Sequence, residues 1–382
     1  MPLHFRPLRG MPVVLALLLA ACAGAPQRPT AEPLPAVPSA AAPAVVHGWQ
    51  PLAGYRQVAV LLPLSGPLAV AAAPVRDGLV ARWLQTPPPR PPLLFIDTQG
   101  QAAGAVNAYR EAVDAGADAV IGPLGRDEVE ALLADPSRLS LPTLLLNRGR
   151  QALPAGAISY ALSPEDEGET VAQAMRRAGL GRVLVLRGDD DSLRREADAF
   201  AAQFALNGGR VLATLDVRGK GPLLDAALAG AKAQGVDALF LALRGPAARQ
   251  LAPALATAGL ASMPRFASSQ LSFGTGRSSQ DGVLDGILFP TDVRDAQLAA
   301  RAAVLPSTRG GGTRLYAFGH DAWLLFAAGQ ALHPPRDARV AGATGELWLA
   351  ADRHVERDPA WATFRGGQRS LAPPPLAAPA AP

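Results

Sequence analysis

Between residues 57 and 259, short unbroken apolar runs alternate with longer segments whose apolar residues recur at helical spacing. No other feature restricts the fold as much. QVAVLL (57–62), LLFID (93–97), DAVIG (118–122), TLLLN (143–147), RVLVLR (182–187), VLATLDV (211–217) and DALFLAL (237–243) have the length of strands. In the first intervening segment Val75, Leu79, Val80 and Trp83 form an apolar stripe; in the second, Val106, Tyr109, Ala112 and Val113 do so. Helices are expected over 126–134, 165–178, 192–206, 222–234 and 246–259 as well. Strands with no polar alternation must be covered on both faces, so the pattern predicts parallel sheets between helical layers. With ISYAL at 158–162 added, the strands exceed one comfortable sheet, and two Rossmann-like three-layer lobes of an α/β fold are expected.

Composition agrees. The chain of 382 residues is 49% hydrophobic but only 5% aromatic, so the core must be built from Ala, Leu and Val. Lys and Arg number 36 against 32 Asp and Glu, a net +4. The pI of 9.7 reflects the use of Arg for nearly all cations. No basic run or stripe is present, so nucleic acid is not an expected partner.

The lone cysteine, Cys22, excludes an internal disulfide and a thiolate metal site. His4, Arg6 and Arg9 precede an apolar run, MPVVLALLLAA, that is too short to span a bilayer and has the proportions of a signal-peptide core. Leu19-Ala20-Ala21-Cys22 resembles the bacterial lipobox, in which the cysteine is diacylated. An ordinary signal peptide would leave the only Cys of the chain at that place by coincidence. The expectation is a signal peptide at 1–21, a lipid anchor at Cys22 and a Pro/Ala-rich tether over 22–54. Each acyl methylene contributes about 0.8 kcal/mol to anchoring. Ala23, where an Asp would favour the inner membrane by lipoprotein sorting rules, favours the outer membrane facing the periplasm. The Pro/Ala-rich tail at 369–382 is expected to be disordered.

In open parallel sheets ligands meet the carboxyl ends of the strands. Ser65, Gly66, Gly122 and Asn147 stand at such ends, and Ser163 and Glu165 open a helix, so these six are the candidate cleft residues for a small molecule. Ser and Asn are also ordinary turn and N-cap residues, which is an equally local account of them. Ser163-Pro164-Glu165-Asp166 reads as an N-cap, a first-turn proline and a capping-box-like partner. His320, in FGHDAW, reads as a surface or helix-start residue rather than a ligand. No GxGxxG, GxxxxGK, GxSxG or HExxH pattern occurs. No catalytic residue, cofactor or metal is therefore expected, and the chain is read as a non-enzyme.

LLPLSGPLA, GADAVIGPL, LPTLLLN, SPEDE (163–167), AFAAQFALNGG, DALFLAL, ARQLAPAL, LDGILFPTDV and LYAFGHDAWLL occur in this order. Together they resemble the C-terminal domain of the LppC/LpoA family, outer-membrane lipoprotein activators of class A penicillin-binding proteins. The resemblance covers about 55–368. It implies a fold like type I periplasmic binding proteins, with lobe 1 at about 55–160 and 291–340 and lobe 2 at about 161–290 and 341–368. GELWLAA and WATFRGG would both return to lobe 2. It implies a class A penicillin-binding protein, a peptidoglycan synthase, as the partner. Long family members carry a TPR-like helical domain ahead of this one; here the tether stands in its place, reaching at most roughly 100 Å when stretched. The alternative function is a periplasmic receptor for a small, amino-acid-like ligand.

Overall fold

Every residue of Val58–Leu62 is buried, the signature of a strand covered on both faces. The computed structural model describes residues 48–217, 222–291, 301–302, 304–309, 312–333 and 337–375. The signal peptide, Cys22, most of the tether and the end of the tail lie outside the described residues.

The first sheet holds β1 (Val58–Leu62), β2 (Leu93–Asp97), β3 (Ala119–Ile121), β4 (Thr143–Leu145) and β5 (Ala157–Ser159) in the order β2-β1-β3-β4-β5. All its pairs are parallel. One face is covered by α2 (Ala102–Asp114) and α3 (Arg126–Leu133), the other by α1 (Ala69–Gln85) and the late helix Thr313–Leu332. The second sheet repeats the arrangement with β6 (Arg182–Arg187), β7 (Arg210–Asp216), β8 (Ala238–Ala242) and β9 (Arg265–Ala267), ordered β7-β6-β8-β9 and again parallel. α4 (Pro164–Arg177) and α5 (Asp191–Leu206) cover one of its faces. α6 (Pro222–Ala233) and α7 (Gly245–Thr257) cover the other. A single helical turn, α8 (Ser278–Asp281), follows, and the late helix is α9.

α1 and α9 touch backbone to backbone. A Cβ on Gly78 would stand 1.9 Å from the carbonyl oxygen of Tyr316, and one on Gly319 would stand 1.9 Å from that of Val75. This reciprocal pair lets two apolar helices seat side by side on the sheet. His320 is therefore in the middle of a helix rather than at its start. Its neighbour Asp321 is fully buried and accepts bonds from Ala343 N (2.6 Å), Thr344 N (2.7 Å) and Thr344 Oγ1 (2.7 Å).

The expected return of 341–368 to the second lobe is corrected. β11 (Arg339–Ala341), β12 (Glu346–Leu349) and β13 (Val355–Asp358) form an antiparallel sheet beside the first lobe. Leu347, Leu349 and Val355 join the core under β1, and Ser159 N donates to Arg353 O at 3.0 Å. Only β14 (Ala360–Arg365) and β15 (Gln368–Ala372) pass to the second lobe, pairing with β10 (Phe289–Thr291). Phe364 and Phe289 supply the apolar reason, sharing a core with Leu239 and Leu241. The chain thus crosses between lobes after β5, after β10 and after β13.

Both ends of the folded body extend past their expected limits. Residues 369–372, assigned to a disordered tail, are the strand β15. Gly366 and Gly367 have φ of 57° and 71°, the double positive-φ pair of a tight hairpin, which forces the chain back along β14. At the other end Trp49, assigned to the tether, is buried with its ring 5.8 Å from that of Phe326.

Candidate functional site

In the order β2-β1-β3 the chain reverses direction of progress at β1, so the crevice of the first lobe opens at the carboxyl ends of β1 and β3. Ser65 and Gly66 follow the first of these ends and Gly122 the second. The Ser65 hydroxyl donates to Asp97 Oδ2 at 2.6 Å. Asp97 Oδ1 accepts from the backbone N–H groups of Leu64 (2.9 Å), Ser65 (3.2 Å) and Gln99 (2.8 Å). Partial burial works against ionisation of Asp97, but the four bonds outweigh it and hold its carboxyl below the usual range. Gly66 has φ 78°, and a Cβ there would stand 2.5 Å from Gln99 O. Ser65 and Gly66 bolt the first strand-end loop to the second. Gly122, with φ 110°, lets the third loop pass within 2.1 Å of Leu61 O, measured from a Cβ it does not carry.

The amide of Asn147 is also spent locally: Nδ2 donates to Leu124 O and Oδ1 accepts from Arg148 N, both at 2.9 Å. Ser163 is the N-cap of α4, its hydroxyl accepting from Asp166 N at 3.1 Å. Among the six candidates, only Glu165 reaches toward the opposite lobe. Its Oε1 lies 2.7 Å from Arg195 Nη1 on α5 and 3.6 Å from Arg126 Nη1 on α3. Asp166 makes a second link, 3.2 Å from Arg148 Nη1. The capping-box idea thus holds for Ser163, while the Asp166 carboxylate faces Arg148.

Sequence reasoning missed the strongest link. Glu167 is 1% exposed and accepts from Ser269 N (2.9 Å) and Ser269 Oγ (2.8 Å). It is ion-paired with Arg314, from the first turn of α9. Arg314 Nη1 also donates to Ser269 Oγ at 2.7 Å and Nη2 to Leu162 O at 3.4 Å. One guanidinium from the first lobe is therefore embedded in the second. Glu196 is buried beside this pair. Burial first, and then the charge of Glu167, raise its carboxyl well above the ordinary value of 4.5. Only SPEDE hinted at this cluster, and carboxylates in a first helical turn are favoured by the helix dipole whatever they pair with.

The arrangement ties two lobes together and spends most of its strand-end polar groups internally. Among the described residues, no group of three or more His, Cys, Asp or Glu side chains could hold a metal ion.

Two parallel three-layer lobes of matching strand order, joined by three passages of chain with loops converging between them, define the class: a body like the type I periplasmic binding proteins. The family model described as "LppC putative lipoprotein" matches residues 51–216 and 217–367, and the chain belongs to that family. It is 27% identical over 322 residues to penicillin-binding protein activator LpoA of Haemophilus influenzae, covering 81% of this chain and 54% of that one. To LpoA of Dickeya chrysanthemi it is 28% identical over 325 residues, covering 72% and 46%. The chain thus spans about half the length of the activators it matches. In fold it is similar to full-length H. influenzae LpoA (TM-score 0.71, 25% identity, 85% of this chain and 60% of that one). The C-domain of that protein, described as a regulator of PBP1A, is matched over 99% of its length and 83% of this chain (TM-score 0.71, 24% identity). An ABC transporter substrate-binding protein from Sphaerobacter thermophilus shares the fold at TM-score 0.61 and 17% identity, over 84% of this chain and 98% of that one.

Proposed function

We propose that this chain is an outer-membrane lipoprotein, anchored through Cys22 and facing the periplasm, that binds a class A penicillin-binding protein and stimulates its peptidoglycan cross-linking without catalysis of its own. The observation that carries the reading is the family match across 51–216 and 217–367, with relatives named as penicillin-binding protein activators. The site is consistent with it. Ser65 and Asn147 spend polar groups on neighbouring loops and Ser163 on its own helix, which suits a scaffold that presents a surface. Among the described residues, the crevice brings together no nucleophile, base and orienter of the kind acyl or glycosyl transfer would require.

The test is a pull-down of class A synthases from detergent-solubilised membranes of the source organism with the full lipidated chain, followed by a transpeptidase assay. Capture of a synthase together with faster cross-linking at micromolar protein is expected. No capture and no stimulation would overturn the proposal.

A further inference from the structure

A cavity of about 290 Å³ lies between α4 of the second lobe and the β11–β13 sheet of the first. Its floor is a row across three strands. Arg339 pairs in register with Trp348, and Trp348 with Glu356, so cation, indole and carboxylate stand side by side on one face. The Arg339 guanidinium lies 4.1 Å from the centroid of the Trp348 ring. The opposite wall is α4, where Asp166, Glu169, Gln173 and Arg177 recur at helical spacing.

Asp166 is occupied by Arg148 at 3.2 Å. Glu169 and Glu356, one from each lobe, make no hydrogen bond or ion pair among the described residues. Burial and then Asp166 raise Glu169; Arg148 works the other way, and Glu356 adds to the rise. Burial also raises Glu356; Arg148 works the other way and Asp166 adds to the rise. Two carboxylates that line one cavity from opposite lobes, neither with a salt-bridge partner among the described residues, are a receptor for an ammonium group. At the far end Arg177 is likewise without a hydrogen bond or ion pair among the described residues, and Arg339 has only its indole. Arg177 lies eight residues beyond Glu169, about 12 Å along the helix. Arg339 lies two strands from Glu356, about 9.5 Å across the sheet. The chain length that spans such a gap in extended form is about three residues.

We propose that this cavity binds a short zwitterionic peptide, its ammonium between Glu169 and Glu356, its carboxylate at Arg177 and Arg339, and its backbone along Trp348. Such a ligand joins the two lobes and holds them at one mutual angle. The proposal does not depend on the activator role.

Calorimetric titration of the full chain in detergent with tri-L-alanine tests it, alongside N-acetyl-tri-L-alanine amide and free alanine. Saturable binding of tri-L-alanine with a rise in melting temperature is expected. The capped peptide is expected not to bind, and alanine to bind at least tenfold more weakly. Glu356→Gln and Arg339→Gln, both on the cavity-facing side of the β11–β13 sheet, are each expected to weaken tri-L-alanine at least tenfold while the melting temperature of the ligand-free chain stays unchanged. No binding of tri-L-alanine up to 10-millimolar order, equal binding of the capped peptide, or unchanged binding in both variants would overturn the assignment.

Discussion

Arg314→Leu removes the guanidinium that neutralises Glu167 inside the second lobe. Glu167 is 1% exposed and the Arg314 side chain 13%, so water cannot replace the lost partner. Breaking one side of a buried pair costs about 3–5 kcal/mol, because the other charge is left behind. Glu167 keeps both bonds from Ser269, and Arg357 Nη2 stands 4.0 Å from its Oε1. These place the loss at the low end, about 3 kcal/mol. In a body of this size each kcal/mol lowers the Tm by about 2 °C, so the melt should fall by about 6 °C. Glu167→Gln retains an acceptor for Ser269 and removes the stranded charge. The double variant Glu167→Gln/Arg314→Leu should therefore recover most of the loss, ending about 1 kcal/mol below the parent. Urea denaturation of the parent, both single variants and the double variant closes the cycle. If Arg314→Leu lies within about 1 kcal/mol of the parent, or the two losses simply add, the pair is not a coupled, desolvated link.

Glu196 gives a pH signature. Its folded carboxyl titrates well above 4.5, so the folded state holds a proton the unfolded chain has released, and stability falls as pH rises from about 4.5. Glu196→Gln should match the parent near pH 4 and become progressively more stable than it toward neutral pH; urea midpoints that differ equally at pH 4 and 7 would contradict this. Gly319→Ala should cost about 3 kcal/mol or more, since its Cβ would sit 1.9 Å from Val75 O and drive α1 from α9. Gly230→Ala, in open space on α6, should be neutral or slightly stabilising, and equal thermal melts for the two alanine variants would refute the close helix contact.

The two sheets were legible because buried parallel strands carry an uninterrupted apolar run, as in Val58–Leu62 and Ala238–Ala242. The late segments were harder, since β12 and β14 are both short antiparallel strands with aromatic residues, and nothing local says which core receives them. Leu347 and Leu349 alternate with polar neighbours, which marks a one-sided strand but not its lobe. The hairpin at 365–368 did carry a signal, Gly-Gly shortly after the WATF run, outweighed by the prolines that follow. At the site, Ser163 was readable as a cap because capping is local. The Glu167–Arg314 pair was not, because its partners come from helices far apart in the chain, and a long-range ion pair leaves no periodic trace. Ser65 looked like a ligand contact because a sequence shows a hydroxyl at a strand end but not the Asp97 that claims it.

The order of assembly follows from the three crossings. The first lobe lacks the helix bearing Trp323 and Phe326, and the second its Phe364 strand, until segments more than a hundred residues beyond α4 have emerged. Neither half can close while the other is still emerging, so vectorial, piece-by-piece maturation is denied to this protein. Both halves stay open, with bare apolar sheet faces, until α9 and β14 have emerged, and then lock at nearly the same moment, which makes the interval before closure the period in which the chain most needs a chaperone.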